Sequence, residues 1–174
     1  MKKRLLAASV ILRYISTIAL FISAIGMMAM TIIVGYQVFA RFILNNSPSW
    51  TEGTSILIMS WFIFLGAAVG VREKFHMGFD VLLYFLPQSA TPWLRSLSDL
   101  AILIFGLGMF HYGLQLTVQT WSARVPVLGI PTGVTYLPIV VSGFLICLFI
   151  LERIALRFAG EPVDQISINS EVAE

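Results

Sequence analysis

The sequence predicts an all-α integral membrane protein with four transmembrane helices, and three observations predict it. First, four stretches contain no Asp, Glu, Lys or Arg: Tyr14–Ala40, Gly53–Val71, Leu100–Ala123 and Val125–Leu151, of 27, 19, 24 and 27 residues. A hydrocarbon core about 30 Å thick takes about 20 apolar residues to cross as a helix. Each run is that long or nearly so. Second, the runs do not alternate apolar with polar residues, as barrel strands would. With no water to satisfy its backbone, a spanning segment is then helical. Third, the 174-residue chain is 58% hydrophobic and only 11% charged, against about 25% charged in soluble domains. That balance excludes a water-soluble domain and leaves no room for a catalytic domain outside the membrane. One membrane domain, residues 1–174, is expected.

The first element opens with Met1-Lys2-Lys3-Arg4, which imitates a secretory signal. The 27-residue run behind it is much longer than a signal's apolar core of about 7–15 residues, so an uncleaved first span is expected. Phe42-Ile43-Leu44 extend its apolar character past Arg41, giving a helix over 14–44. At 1.5 Å per residue such a helix is about 46 Å long, so it tilts strongly or projects from the bilayer. Asn45-Asn46-Ser47-Pro48-Ser49 supply turn signals that end it. Trp50 sits where an interfacial aromatic anchor belongs, and Ser49 or Thr51 can cap a second helix over 53–71. Arg72-Glu73-Lys74 close that span. The stretch from Phe75 to Leu86, closed by Pro87, is apolar but too short to cross. His76 and Asp80, four apart, share one helical face, and a short interfacial helix over 76–86 is expected. A third span covers 99–123. Between Arg124 and Gly133, two prolines and two glycines forbid a comfortable helix and predict an irregular turn dipping against the membrane. The fourth span covers 132–158, with Pro138 in its first two turns. Residues 160–174 form a polar tail.

Orientation follows from the cations. Nine of the eleven Lys and Arg residues fall on the side of the two termini and the loop between spans 2 and 3; only Arg41 and Arg124 fall on the other. The positive-inside rule then puts both termini in the cytoplasm. Arg41, the 45–52 turn and Arg124 then face outward, which in a bacterial inner membrane means the periplasm.

Charge inside a span is the default mark of a functional membrane site, and this sequence has none. All nine acids lie at span ends, in loops or in the tail. The single cysteine, Cys147, makes neither a disulfide nor a metal-ligand spacing. Two histidines at unsuitable depths do not make a bis-histidine haem site. Scattered basic residues form no nucleic-acid patch. No catalytic or substrate-binding residue, metal or cofactor is expected. His111, Gln115 and Gln119 recur at i, i+4 and i+8 on one side of the third span. They read as a polar groove or proton relay. More simply, they are hydrogen-bonding groups within the bundle or toward a partner, worth about 0.6–2 kcal/mol each. Gly66 and Gly70 allow close approach of another helix, inside the bundle or on a foreign subunit. Arg41 and Glu52 flank the outward hairpin and either pair with each other or face a periplasmic partner.

Several motifs, in order, carry a resemblance. They are Gln37-Val38-Phe39-Ala40-Arg41-Phe42, then Ser49-Trp50-Thr51-Glu52, then Trp61 with Phe64-Leu65-Gly66-Ala67-Ala68. Next come Val71-Arg72-Glu73-Lys74-Phe75-His76-Met77-Gly78-Phe79-Asp80 and Pro126-Val127-Leu128-Gly129-Ile130-Pro131 with Tyr136-Leu137-Pro138. On four spans at these spacings, the chain resembles the small membrane subunit of tripartite ATP-independent periplasmic (TRAP) transporters, the DctQ-like family, from roughly Ile11 to Arg153. The resemblance implies a non-catalytic scaffold beside a large multispan membrane subunit that carries the substrate and sodium sites. It also implies a soluble periplasmic binding protein that delivers an organic acid. Phospholipid is a further packing partner. One position departs: the family usually shows two adjacent acids after the tryptophan, and here Gly53 follows Glu52, which acts alone.

Competing readings are weaker. An anchor subunit of another complex, such as a haem-containing one, fits the span count. An autonomous small exporter would use a carboxylate in its first span, and none is present. Membrane thiol oxidoreductases need cysteine pairs. Membrane aspartyl peptidases need two aspartates near the outer surface, whereas Asp80 and Asp99 fall in the cytoplasmic loop.

Overall fold

A computed structural model describes residues 2–46, 48–73 and 91–158. It holds four long α-helices, which we number α1 (Lys2–Phe42), α2 (Trp50–Arg72), α3 (Thr91–Gln119) and α4 (Leu137–Phe158). A 3-10 turn, Thr132–Thr135, precedes α4. Each helix holds a stretch long and apolar enough to cross a membrane. The expected interfacial helix over 76–86, with His76 and Asp80, and the 160–174 tail lie outside the described residues.

The helix limits differ from the charge-free runs in an instructive way. α1 starts at Lys2 and α3 at Thr91, well before Tyr14 and Asp99. A charge marks where the hydrocarbon ends, but it does not stop a helix, because backbone hydrogen bonds run on through polar side chains. At the other end α3 stops at Gln119, since the glycines and prolines of the following turn impose their own geometry. Pro138 stands in the first turn of α4, where its missing N–H would lack an intrahelical partner anyway.

The helices do not form a square bundle. α1 packs on α2, α2 on α4 and α4 on α3, with α1 touching α4 only lightly. The spatial order is therefore α1–α2–α4–α3, a slab with α1 and α3 at its edges. Burial follows: half of the most apolar window of the fourth span is buried, against 11% for the first. The core joins Leu65, Ala68 and Val69 of α2 to Leu145, Ile146, Phe149 and Ile150 of α4, with Ala19 of α1 against them.

The α3–α4 seam is built on glycine. A Cβ at Gly143 would stand 2.7 Å from the Phe110 amide nitrogen and 2.9 Å from the Gly106 carbonyl oxygen. One at Gly106 would meet Ile146 Cγ2 at 2.9 Å, and one at Gly113 would meet Val140 Cγ2 at 3.1 Å. Lipid tails are as apolar as leucine, so helices associate in a bilayer through this kind of close packing. The α1–α2 seam is lined on α1 by Ser16, Ala19 and Ser23, all buried, and by Gly26, where a Cβ would meet Phe62 Cβ at 3.2 Å; all are small enough to let the backbones approach.

An ionic clamp and an open hairpin end

At one end of the slab, charged groups from three helices converge on each other and on the backbone of the fourth. Glu152 and Arg153 are neighbours on α4, and successive helical residues point about 100° apart. Because α4 lies between α2 and α3, the two side chains reach in different directions. Glu152 Oε2 accepts from Arg72 Nε of α2 at 3.4 Å. Arg153 Nη1 donates to Asp99 Oδ1 of α3 at 3.2 Å and Arg153 Nη2 donates to the Val71 carbonyl of α2. One turn on, Arg157 Nη2 lies 2.9 Å from Asp99 Oδ2, close in charge but not aligned as a hydrogen bond. Arg157 Nη1 also reaches Ser96 Oγ at 3.4 Å. Arg72 Nη2 donates to the Ser9 carbonyl of α1 at 3.2 Å, and its guanidinium lies 5.5 Å from the centroid of the Phe149 ring. All four helices are tied at this level.

The electrostatics favour this arrangement. Arg72 and Arg157 sit in the last turns of α2 and α4, where the helix dipole attracts cations. Asp99 and Arg153 are buried. Removing one member of such a buried pair typically costs about 3–5 kcal/mol, because the other charge is left uncompensated. None of these residues stood among the sequence-derived candidates. The available signal was the balance of opposite charges where several spans end on the same side: Arg72, Asp99, Glu152, Arg153 and Arg157.

The opposite end is held by backbone, not charge. Asn45 takes a left-handed conformation with φ 49°, a geometry that asparagine tolerates better than most residues, and the Asn46 amide donates to the Ala40 carbonyl at 3.1 Å. Tyr36 and Trp50 stack with ring centroids 6.4 Å apart, fixing the end of α1 on the start of α2. Neither expected cap on α2 is made by a side chain. Ser49 is already helical with no side-chain cap bond, and the Thr51 hydroxyl turns back to the Pro48 carbonyl at 2.7 Å. Across the slab, the turn after α3 closes on itself. The Val125 amide donates to the Ile130 carbonyl and the Gly129 amide to the Val125 carbonyl, both at 2.9 Å. Gly129 adopts φ 65°, which glycine allows without strain. Arg124 Nη1 donates to the Gly129 carbonyl at 2.8 Å, so it braces its own turn. Leu128 at the tip covers Gly53: a Cβ there would meet Leu128 Cδ1 at 3.2 Å. The position where a second acid was expected is thus a contact between the two hairpins.

The sequence-derived candidates are dispersed. Arg41 and Glu52 are both exposed and, among the described residues, form no ion pair with each other, so the expected pairing across the hairpin is absent. Trp50 is exposed and Trp61 half-buried against the core. A Cβ at Gly70 would meet nothing within 4 Å, and one at Gly66 only Ser23 Oγ at 3.9 Å. Much closer approaches are made at Gly106, Gly113, Gly133 and Gly143, which the sequence pattern did not single out for packing. His111, Gln115 and Gln119 are exposed, so they do not bond within the bundle. Among the described residues, no three His, Cys, Asp or Glu side chains gather to hold a metal ion.

A fold of four membrane-length helices with its charges kept to the ends matches a known family. The sequence model of the family described as tripartite ATP-independent periplasmic transporters, DctQ component, matches residues 30–160. The chain belongs to the DctQ family. Similar curated proteins agree. A protein of Haemophilus influenzae described as a TRAP transporter small permease protein is 30% identical over 140 residues, covering 78% of this chain and 85% of its own. A second from the same organism, with the same description, is 22% identical over 132 residues, covering 76% and 80%. The C4-dicarboxylate TRAP transporter small permease protein DctQ of Vibrio cholerae is 31% identical over 110 residues, covering 63% of this chain and 44% of its own length. This DctQ chain is a small permease subunit of a bacterial TRAP transporter, a multi-pass membrane protein whose relatives are transporter subunits.

Proposed function

We infer that this subunit is a stationary, non-catalytic scaffold for sodium-coupled uptake of an organic acid. The ionic clamp carries the reading. Charges that could have served transport are consumed in locking four helices to one another, and the carboxylates of the spans, Glu52, Asp99 and Glu152, stand near the spans' ends. A part that moves through alternating access needs interfaces that break, whereas this end is cross-tied by three ion pairs. The substrate and sodium sites then belong to a large multispan membrane subunit, delivery to a periplasmic binding protein, and the remaining apolar surface to phospholipid. With nine cations on its side, the clamp faces the cytoplasm together with both termini. Arg41 and Glu52 face the periplasm, exposed toward the binding protein. The test is sodium-dependent uptake in proteoliposomes holding the large membrane subunit and binding protein of the same transporter, with and without this chain. Uptake that needs this chain, with no flux from this chain alone, is expected. Full uptake without it, or flux catalysed by it alone, overturns the reading.

A further inference from the structure

The two edges of the slab differ. On α1, the exposed face presents Ile18, Phe21, Ile25, Met28 and Ile32, groups that lipid tails satisfy. The exposed hydroxyls of Thr17 and Thr31 donate to the carbonyls of Arg13 and Met27 at 3.0 and 2.9 Å, and the exposed tyrosines of that edge, Tyr14 and Tyr36, stand toward the two ends of the span, so its middle is apolar. On α3, the outward face sets two polar groups, His111 and Gln115, among exposed apolar residues such as Leu100, Ile104 and Val118. At about 100° per residue, His111 and Gln115 lie roughly opposite Gly106 and Gly113, which face α4. They therefore point straight out of the slab. Imidazole and amide groups do not satisfy themselves on their own helix as a threonine does, and the described residues give these two no hydrogen bond. Depth makes the need acute. Trp121, exposed just beyond α3, marks the interface. His111, eight residues before the end of α3, lies about 12 Å along the helix from that end, well inside a core about 30 Å thick. A side chain at that depth does not reach water. Gly108 lies on the same side with open space where a Cβ would be, leaving room for a neighbouring backbone.

We propose that the outer face of α3, centred on His111 and Gln115, is the surface that receives a transmembrane helix of the large permease subunit. That helix presents hydrogen-bonding groups of complementary polarity at that depth. The α1 edge faces lipid. This rests on the scaffold reading above and adds which edge is occupied and by what chemistry.

A photo-crosslinking amino acid tests it, placed singly at Ile104 or Val118 beside the two polar groups and at Phe21 or Ile32 on α1. These four sites are 62%, 68%, 65% and 71% exposed, so the comparison is fair. The chain is co-expressed with the large subunit of the same transporter, and crosslinks are read after membrane isolation. Crosslinks to the large subunit from the α3 sites, at least fivefold above the α1 sites, are expected. Crosslinks mainly from α1, none from α3, or α3 crosslinks to a second copy of this chain overturn the assignment. If the large subunit does not co-purify with wild-type chain at all, the scaffold reading fails first and the assignment with it. As a second measurement, His111→Leu with Gln115→Leu should lower complex yield at least fivefold while leaving the Tm of the isolated subunit unchanged or higher. An undiminished complex overturns the proposal.

Discussion

The two ends of this molecule use similar residues in opposite ways. At the clamp end, Arg72, Asp99, Glu152, Arg153 and Arg157 are spent on each other. At the hairpin end, Arg41 and Glu52 stand exposed and unpaired among the described residues, and the fold is secured by turns, the Tyr36–Trp50 stack and Leu128 over Gly53. The difference lies in what holds each end: charge stabilises the clamp end, while among the described residues the charges of Arg41 and Glu52 hold nothing together, and on the scaffold reading they are left for a partner.

The sharpest way to break this contrast is Asp99→Asn. It removes the anion between Arg153 and Arg157 and should destabilise the subunit by about 3–5 kcal/mol, read as unfolding free energy in mixed micelles. A loss under about 1 kcal/mol would mean that the clamp is solvated and weak. Next comes packing. Gly143→Ala forces a Cβ onto the backbone of α3 and should cost about 1–3 kcal/mol. Gly70→Ala, with open space around it, should leave stability unchanged or slightly raised, since alanine favours helix over glycine by about 1 kcal/mol. Equal effects at the two positions would refute the glycine seam. A smaller effect is expected from Leu128→Ala, which uncovers Gly53. About 1–2 kcal/mol is lost if the two hairpins hold each other there, and cysteine accessibility at position 53 should rise. At the low end, Arg41→Gln and Glu52→Gln should leave the Tm unchanged while weakening association with the periplasmic binding protein. A Tm drop matching that of Asp99→Asn would erase the distinction between the ends.

Much of the fold was legible because bilayer physics is restrictive. Uncharged length specified four helices, and Asn45-Asn46 and the Pro126–Gly133 segment marked both turns. The helix limits at Lys2 and Thr91 were not legible, since hydrophobicity reports the membrane and not the backbone. The clamp was half legible. Its residues visibly bounded the spans, but pairing Arg72 with Glu152 or Arg153 with Asp99 requires knowing that α4 lies between α2 and α3, and no periodicity within one helix encodes that order. The glycine contacts failed for the same reason: Gly66 and Gly70 had the better local pattern, while Gly106, Gly113 and Gly143 had the facing neighbour.

The clamp also sets a timetable for biosynthesis. Arg72 precedes its carboxylate partner by 80 residues, which at about 5–20 residues per second is roughly 4–16 s of translation. For that interval the nascent first hairpin presents an unneutralised guanidinium to the insertion machinery, and only the last turns of the final helix quench it.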